Sequence, residues 1–369
     1  MTPPSLPPPE RPRARPTPRL WLGLLGLGLA GSVACAPRAA TEPGRLYLGF
    51  FPNVTHAVAL SAYGRESFAR ALAPAEIEWK AFASGPQAVE AIFAGAIDAC
   101  YLGPGPATIG YVRSRGEALV ILAGAASGGA GLVVRRAANI HRPEDLPGHI
   151  LATPQLGNTQ DVALRRWLDQ RRLRTIDRGG DIKVLPLANA QILALMKRGE
   201  LDGAWVPEPW VTRLVREADG VLLLDERELW PEGRFPSAVL VAARASLATK
   251  RDLITRLVAA HVDEVDWVTA HPAEARKLGG EAIRRVTGKG LPPAILAEAY
   301  DHVTPTWDPM PAAIAEMAAG ARALRYLPEG GLEGLIDGAL LDAARAARAT
   351  RPAPPAETPA PGSAPDTRP

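Results

Sequence analysis

The chain has 369 residues, of which 47% are hydrophobic. Because a single hydrophobic core stops growing at about 250–300 residues, this length favours two lobes over one large core. The formal charge of +3 arises within residues 1–35, where four arginines outnumber one glutamate, and the rest of the chain sums to zero. The sequence therefore indicates no basic face, which argues against nucleic acid as a partner.

Residues 1–35 are predicted to be an export signal. A Pro/Arg-rich start precedes an apolar run from Leu20 to Gly31, which is too short to span a bilayer comfortably and is followed by small residues. The run leads into SVAC, which ends on Cys35 and is similar to a lipoprotein signal, although Ser32 stands where leucine is usual. The prediction is that Cys35 becomes the lipid-modified first residue; the alternative is an ordinary cleaved signal that contains a cysteine.

The next part of the chain alternates strands and helices. The segment LYLGFFPNVTHAVAL (46–60) predicts a strand, a polar turn and the start of a helix, and IEWKAF (77–82) predicts a second strand. An amphipathic helix follows and is expected to end at Gly95, since glycine adopts a left-handed C′ conformation at little cost. A third strand then runs into a Pro/Gly-rich loop. The apolar positions of the helix are Val89, Ile92, Phe93 and Ala96.

A second unit has the same order of elements. The segment AGLVVRR (130–136) predicts a strand that leaves the first unit, and ILATPQLGNTQDVAL (150–164) again predicts strand, polar turn and helix. A strand IKVLPL (182–187), a helix ending at Gly199 and a third strand complete the unit. The two units align at a constant offset of 104 residues, which indicates two similar α/β lobes. The matched pairs are Thr55 and Thr159, Gln87 and Gln191, Gly95 and Gly199, Asp98 and Asp202, and Tyr101 and Trp205.

The remaining segments complete the predicted domain organisation. SAVLVAAR (237–244) predicts a strand that returns to the first lobe, and residues 251–270 predict a long helix. Strands that alternate with helices imply open, mostly parallel sheets flanked by helices, here in two lobes joined by two crossings. After the signal, the expected boundaries are 44–131 plus 238–345 for lobe one, 132–237 for lobe two, and 346–369 for a disordered Pro/Ala-rich tail.

The turn at 153–161 is rich in uncharged hydrogen-bonding side chains. One interpretation is a helix cap, with Asn158 as N-cap and Asp161 completing a capping-box-like pair. The other is a ligand site, because ligands of open α/β sheets bind beyond the carboxyl ends of strands, where helix N-termini favour an anion. Both roles are compatible. The doubled turn predicts that Thr55 and Thr159 hold one anionic head from opposite lobes.

Four motifs in order resemble a known family. They are PNVTHA (52–57), FAGAIDACYLGPGPA (93–107), TPQLGNTQDVALR (153–165) and LDGAWVPEPW (201–210). Together they are similar to the solute-binding proteins of ABC importers for aliphatic sulfonates, taurine and nitrate. The resemblance implies a two-lobed periplasmic-binding-protein fold that closes on its ligand, acts outside the cytoplasm and docks on a membrane permease. The alternatives within the family are nitrate, bicarbonate or a thiamin precursor as ligand.

The resemblance also implies candidate ligand-binding residues in the loops of both lobes. His56 has the alternative role of a solvated helix-start residue, Trp205 of a core residue, and Glu208 of a loop-shaping residue that would otherwise attract a ligand amine. The candidates are Asn53, Thr55, His56, Gly103, Pro104, Ser127, Gly128, Thr153, Gln155, Asn158, Thr159, Gln160, Trp205, Glu208 and Trp210.

The sequence favours binding over catalysis. Beyond the signal only Cys100 remains as a thiol, in an apolar stretch that predicts burial, and the cleft loops contain no nucleophile–base or metal-ligand pattern. We therefore expect no catalytic residue, cofactor or metal. The expected protein is a monomeric receptor for a small anion, and the cleft aromatics favour a sulfonate over nitrate. An enzyme on the same fold and the sensor domain of a receptor are the competing hypotheses.

Overall fold

The structure, a computed structural model, describes residues 44–350, which form part of one compact unit. The predicted signal with Cys35 and residues 351–369 of the predicted tail lie outside the described residues. Within residues 44–350 the chain forms eleven β-strands and thirteen α-helices. None of the described helices is long and apolar enough to cross a membrane.

Six strands form the first sheet. They are β1 (Arg45–Phe50), β2 (Glu76–Ala81), β3 (Ala99–Leu102), β4 (Leu119–Gly128), β10 (Pro236–Ala243) and β11 (Val303–Pro305). Their order is β11-β4-β10-β3-β1-β2. The first four strands of the chain point the same way, and β10 and β11 run antiparallel to their neighbours.

Five strands form the second sheet. They are β5 (Ala130–Arg135), β6 (Ile150–Thr153), β7 (Lys183–Pro186), β8 (Gly203–Pro207) and β9 (Gly220–Asp225), in the order β7-β6-β8-β5-β9. Only β5 runs against the others. The predicted fold class, two α/β lobes with mostly parallel sheets joined by two crossings, is confirmed.

The helices connect and cover these strands. The first seven are α1 (Ala57–Arg65), α2 (Ser67–Leu72), α3 (Gly85–Phe93), α4 (Pro104–Arg113), α5 (Thr159–Gln170), α6 (Asn189–Lys197) and α7 (Trp210–Glu217). The others are α8 (Arg244–Thr249), α9 (Arg251–Ala270), α10 (Pro272–Thr287), α11 (Pro293–Asp301), α12 (Pro311–Ala323) and α13 (Ala339–Ala349). The long helix predicted at 251–270 is confirmed as α9, whereas α13 continues past residue 346, where the tail was expected to start.

Each sheet is covered on both faces by apolar side chains. Along β10, Leu240 packs in one cluster and its neighbours Val239 and Val241 pack in the other. This alternation follows from the two-residue period of a strand. The second sheet likewise separates two clusters, one containing Trp205 and the other Val206. Both halves therefore have a core of their own.

The chain passes between the sheets at two places. The first is the short link of Gly128 and Gly129, whose φ angles are +79° and +72°. A Cβ on Gly129 would lie 2.4 Å from Val303, so close packing as well as backbone conformation requires glycine there. The return passes from the end of β9 to the start of β10. The predicted lobe boundary after residue 131 falls inside β5, because the chain already passes from the first sheet to the second at Gly128 and Gly129.

Candidate functional site

A cavity of about 740 Å³ lies between elements of the two sheets. It is bordered by the segments that follow β1 and β2 in the first sheet and by those that follow β6, β7 and β8 in the second. The C-terminal end of α10 and the residues after it close another side. The cavity therefore occupies the position, beyond the carboxyl ends of strands, at which α/β sheets bind ligands.

Three of the predicted site residues border this cavity. They are Asn53, Gln155 and Trp210. The Trp210 indole Nε1–H donates to the Asn53 amide oxygen at 3.4 Å, so the two halves touch at the cavity wall. Phe51 and Phe82 add apolar surface beside them. Aromatic residues thus border the cavity as predicted, although some of them are not the residues that were expected.

Two helices open onto the cavity with unpartnered polar atoms. Ser84 is the N-cap of α3, and Asn189 is the first residue of α6. Among the described residues, the Ser84 hydroxyl and the Asn189 amide oxygen are buried without a hydrogen-bond partner. The first N–H groups of a helix and its dipole attract negative charge. These two helix ends are suited to an anionic group. The sequence-based prediction had placed the anion at the starts of other helices.

The cavity also has two cationic side chains, which the sequence analysis missed. Arg213, on α7, lies over the Trp210 ring at 4.6 Å and donates from Nε to Glu217 at 2.7 Å. Lys289 follows α10. The sequence-based prediction placed the anion at helix N-termini and considered only the loop motifs. Neither residue belongs to those motifs, so only the tertiary structure brings them to the cavity.

The polar turn at 153–161 is held together mainly by its own side chains. The Asn158 amide oxygen accepts the Asp161 N–H at 2.8 Å, which confirms Asn158 as the N-cap of α5. The Asp161 carboxylate accepts from Thr153 Oγ1 at 2.9 Å, from the Gly157 N–H at 3.0 Å and from Arg165 Nε at 3.1 Å. The capping-box pair is thus displaced, since Asp161 bonds the N–H of Gly157.

Thr55 and Thr159 are buried and lie outside the residues that border the cavity. Thr159 Oγ1 accepts the Gly105 N–H at 3.3 Å, and a Cβ on Gly103 would lie 2.7 Å from the same oxygen. Gly103 and Pro104 therefore bring the start of α4 against the start of α5. That the two threonines share an anion stays a prediction. The bond between Thr159 and Gly105 joins the two halves directly.

His56 is buried beside Phe51, so the alternative of a solvated helix-start residue is wrong. Its Nδ1 lies 3.4 Å from the Phe51 N–H, and burial lowers the pKa of the imidazole to about 3. The ring is therefore neutral at ordinary pH and offers no positive charge to an anion. Gln160 accepts from the Asn158 amide at 3.3 Å and is also buried.

Trp205 lies in the core of the second sheet with no exposed surface, as its alternative interpretation stated. Its Nε1–H donates to Glu226 at 2.8 Å, and burial raises the pKa of that carboxyl to about 7. At the crossing, Ser127 Oγ accepts the Phe235 N–H at 3.2 Å beside Gly128. These residues fix the frame around the cavity without bordering it.

Glu208 is fully buried and occupied by protein partners. Its carboxylate accepts from Thr212 Oγ1 at 2.9 Å and from the Thr212 N–H at 3.2 Å. His302 Nδ1 lies 2.6 Å from the same carboxylate, and this hydrogen bond raises the pKa of His302. The Glu208 carboxylate is therefore satisfied within the protein and does not border the cavity.

The repeat matched Asp98 with Asp202, and the structure gives both the same structural role. Asp98 Oδ2 accepts the Tyr47 N–H at 2.8 Å, and Asp202 Oδ2 accepts the Ile150 N–H at 2.9 Å. Each carboxylate thus accepts a backbone N–H of one strand, β1 or β6, and lies just before another strand of the same sheet, β3 or β8. Asp98 is completely buried and paired with Lys250 at 2.9 Å.

Cys100, the thiol that remains beyond the predicted signal, lies away from the residues that border the cavity. Cys100 is buried in β3, and burial raises the pKa of its thiol. Within residues 44–350, no group of three histidine, cysteine, aspartate or glutamate side chains is placed to hold a metal ion. The arrangement around the cavity can bind an anion with an apolar body.

Comparison with known proteins points in the same direction. A family model described as the NMT1-like family matches residues 39–281. The chain is 28% identical over 188 residues to the taurine-binding periplasmic protein of Escherichia coli K12, covering 50% of this chain and 55% of that protein. It thus spans little more than half of that relative. It is 26% identical over 288 residues to a putative aliphatic sulfonates-binding protein of the same organism, covering 77% and 84%.

Among solved structures, the fold is similar to that of the alkanesulfonate-binding protein SsuA from Xanthomonas axonopodis pv. citri bound to MOPS. The TM-score is 0.65 at 21% identity, covering 78% of this chain and 96% of that chain. At this level of identity the likeness concerns the fold alone.

Proposed function

We propose a transport function on one premise: the chain belongs to the NMT1-like family. In this proposal the protein is the extracytoplasmic substrate-binding component of an ABC importer. It holds a small organic anion, an aliphatic sulfonate, in the cavity between its two halves and delivers it to a membrane permease. Relatives described as taurine-binding and aliphatic sulfonates-binding proteins support this assignment.

The cavity carries the proposal, because its chemistry matches the two parts of a sulfonate. A sulfonate has three acceptor oxygens and a single negative charge, which suit the backbone N–H groups at the starts of α3 and α6 and the Ser84 hydroxyl. Its apolar tail suits the aromatic surface of Phe51, Phe82 and Trp210. Nitrate, bicarbonate and thiamin precursors are the alternative ligands, and a volume of about 740 Å³ favours a ligand larger than nitrate.

The proposal extends to the domain organisation and location. We infer that the six-stranded and five-stranded sheets are the cores of two lobes, which are joined at the glycine link of residues 128–129 and between β9 and β10 and close on the ligand about these two connections. The predicted signal supports export, with Cys35 as the lipid anchor at the membrane and the receptor acting as a monomer in the periplasm or at the cell surface. The buried Cys100 supports a non-catalytic role.

Isothermal titration calorimetry with hexane-1-sulfonate tests the proposal. The wild-type protein is expected to bind, and Trp210→Ala is expected to weaken binding at least tenfold, since a central aromatic contact is worth about 2 kcal/mol or more. Trp267→Ala is the matched control, because Trp267 also lies half-buried under an arginine, Arg65, but away from the cavity. Absence of binding by the wild type, or equal losses in both variants, contradicts the proposal.

A further inference from the structure

The charged residues that border the cavity are all cationic. Arg213 and Lys289 are part of its wall, and no aspartate, glutamate or histidine is among the described residues that border it. Glu208, the acidic residue expected to attract an amine, is fully buried and bonded to Thr212 and His302. A ligand in this cavity therefore meets positive charge and no carboxylate.

The two cations differ in how far they are already neutralised. Arg213 is paired with Glu217 at 2.7 Å, and Glu217 also accepts from Lys197 at 2.9 Å. Lys289 has no ion pair or side-chain hydrogen bond among residues 44–350, although its backbone N–H donates to Thr287 Oγ1 at 3.2 Å. That bond ties the residue to the end of α10, where Gly288 has a left-handed φ of +72°. The backbone of Lys289 is thus fixed at the cavity wall, and its exposed side chain has no acidic partner among the described residues.

The cavity is large enough for a ligand with an apolar body between two charged groups. Its volume of about 740 Å³ lies in the range that encloses drug-sized ligands, well beyond a sulfonate group alone. Phe51, Phe82 and Trp210 supply aromatic surface. The helix starts at Ser84 and Asn189 and the ammonium of Lys289 belong to separate elements, so a ligand with two anionic groups has two different places for them.

We propose that the ligand is a dianion, a sulfonate whose apolar or aromatic body carries a second anionic group held by Lys289, and that zwitterionic aminosulfonates are discriminated against. This inference rests on the proposed function. An ammonium beside Lys289 would meet a like charge and no acidic partner, which disfavours binding by an amount similar to that of an exposed ion pair. A carboxylate at the same place would gain the attraction of Lys289, which is modest because that side chain is solvent-exposed.

Three matched sulfonates test the inference by calorimetry at low ionic strength. They are toluene-4-sulfonate, 4-sulfobenzoate and 4-(aminomethyl)benzenesulfonate, which share one ring and differ in a methyl, a carboxylate or an ammonium-bearing substituent. We expect 4-sulfobenzoate to bind about threefold to fivefold more tightly than toluene-4-sulfonate, as for an exposed ion pair. We expect the aminomethyl compound to bind about threefold to fivefold more weakly than toluene-4-sulfonate, since repulsion by an exposed charge has a similar magnitude. Raising the salt concentration should shrink the preference for the carboxylate.

Two variants assign the preference to its residue. Lys289→Gln is expected to bring 4-sulfobenzoate within twofold of toluene-4-sulfonate. Lys277→Gln, an exposed lysine on the same helix region but outside the cavity, should leave the preference unchanged. If toluene-4-sulfonate binds but the aminomethyl compound binds as tightly, or if the carboxylate preference survives Lys289→Gln, the inference is overturned while the proposed function stands. If none of the three sulfonates binds, the proposed function itself fails.

Discussion

The contact between Glu208 and His302 is expected to help hold the two halves together. Glu208 follows β8 of the five-stranded sheet, and His302 precedes β11 of the six-stranded sheet. The carboxylate is completely buried, and His302 Nδ1 lies 2.6 Å from it. A protonated His302 therefore supplies the charge that balances Glu208 across the interface. Replacement by glutamine keeps a neutral donor and removes the charge.

The sign of the pH dependence follows from the pKa of His302. The hydrogen bond to Glu208 raises this pKa above its ordinary value near 6.5, with a smaller contribution from Asp225, while Arg227 opposes it. A group whose pKa is higher in the folded state stabilises the fold fully below its unfolded pKa and loses that effect as the pH rises through the folded pKa. Stabilisation by the pair is thus greatest below pH 6.5 and fades above it.

The magnitude comes from the burial of the pair. A hydrogen bond to a charged group contributes about 1.5–3 kcal/mol, against about 1 kcal/mol for a neutral one. The His302 side chain is 29% exposed, which argues for the lower part of that range. We expect His302→Gln to lower the free energy of unfolding by about 1–2 kcal/mol at pH 5.5 and by much less at pH 9.

Urea unfolding of the wild type and the variant at both pH values measures this difference. His141→Gln is the control, because the His141 ring is exposed and its Nε2 lies 3.0 Å from the neutral side chain of Asn139 on the surface. A difference between wild type and His302→Gln that does not change between pH 5.5 and pH 9, or that grows with pH, would refute the reasoning.

Three further predictions follow from individual contacts. Thr159→Val should weaken sulfonate binding about tenfold or less, because it removes one bond between the halves, to Gly105; a loss near 100-fold in calorimetry would instead place the anion on Thr159, as the repeat predicts. Asp98→Asn should cost about 3–5 kcal/mol in urea unfolding by removing the carboxylate that neutralises the buried Lys250 ammonium, which keeps its bond to the Arg45 carbonyl oxygen, with the affinity of the remaining folded protein unchanged. Cys35→Ser should release the protein from membranes in cell fractionation, and unchanged membrane association would contradict lipidation at Cys35.

Much of the fold is readable from local patterns. The helix at 251–270 has the predicted bounds because its apolar spacing is helical throughout. Gly95 and Gly199 follow α3 and α6 with φ angles of +63° and +76°, as expected of C′ glycines. Asn158 caps α5 because the capping bond is local to three residues. Helix periodicity, C′ glycines and N-caps depend only on residues close together in the chain, so they can be recognised from the sequence.

The residues of the site were harder to predict from the sequence, because their positions depend on packing between distant segments. His56 is polar in sequence but buried against Phe51, and Glu208 is bonded to a histidine 94 residues away. Arg213 and Lys289 reach the cavity from helix regions that no loop motif includes. The sequence-based prediction assigned the charge of the anion to helix N-termini, so it did not anticipate these two cations.

The central claim is that an anion binds in the cavity between the two halves. A crystal structure of the protein with toluene-4-sulfonate tests it most directly. We predict that the sulfonate oxygens lie within hydrogen-bond distance of Ser84 or Asn189 at the starts of α3 and α6, with the ring against Trp210. A sulfonate bound anywhere outside this cavity, or between Thr55 and Thr159, would contradict the account.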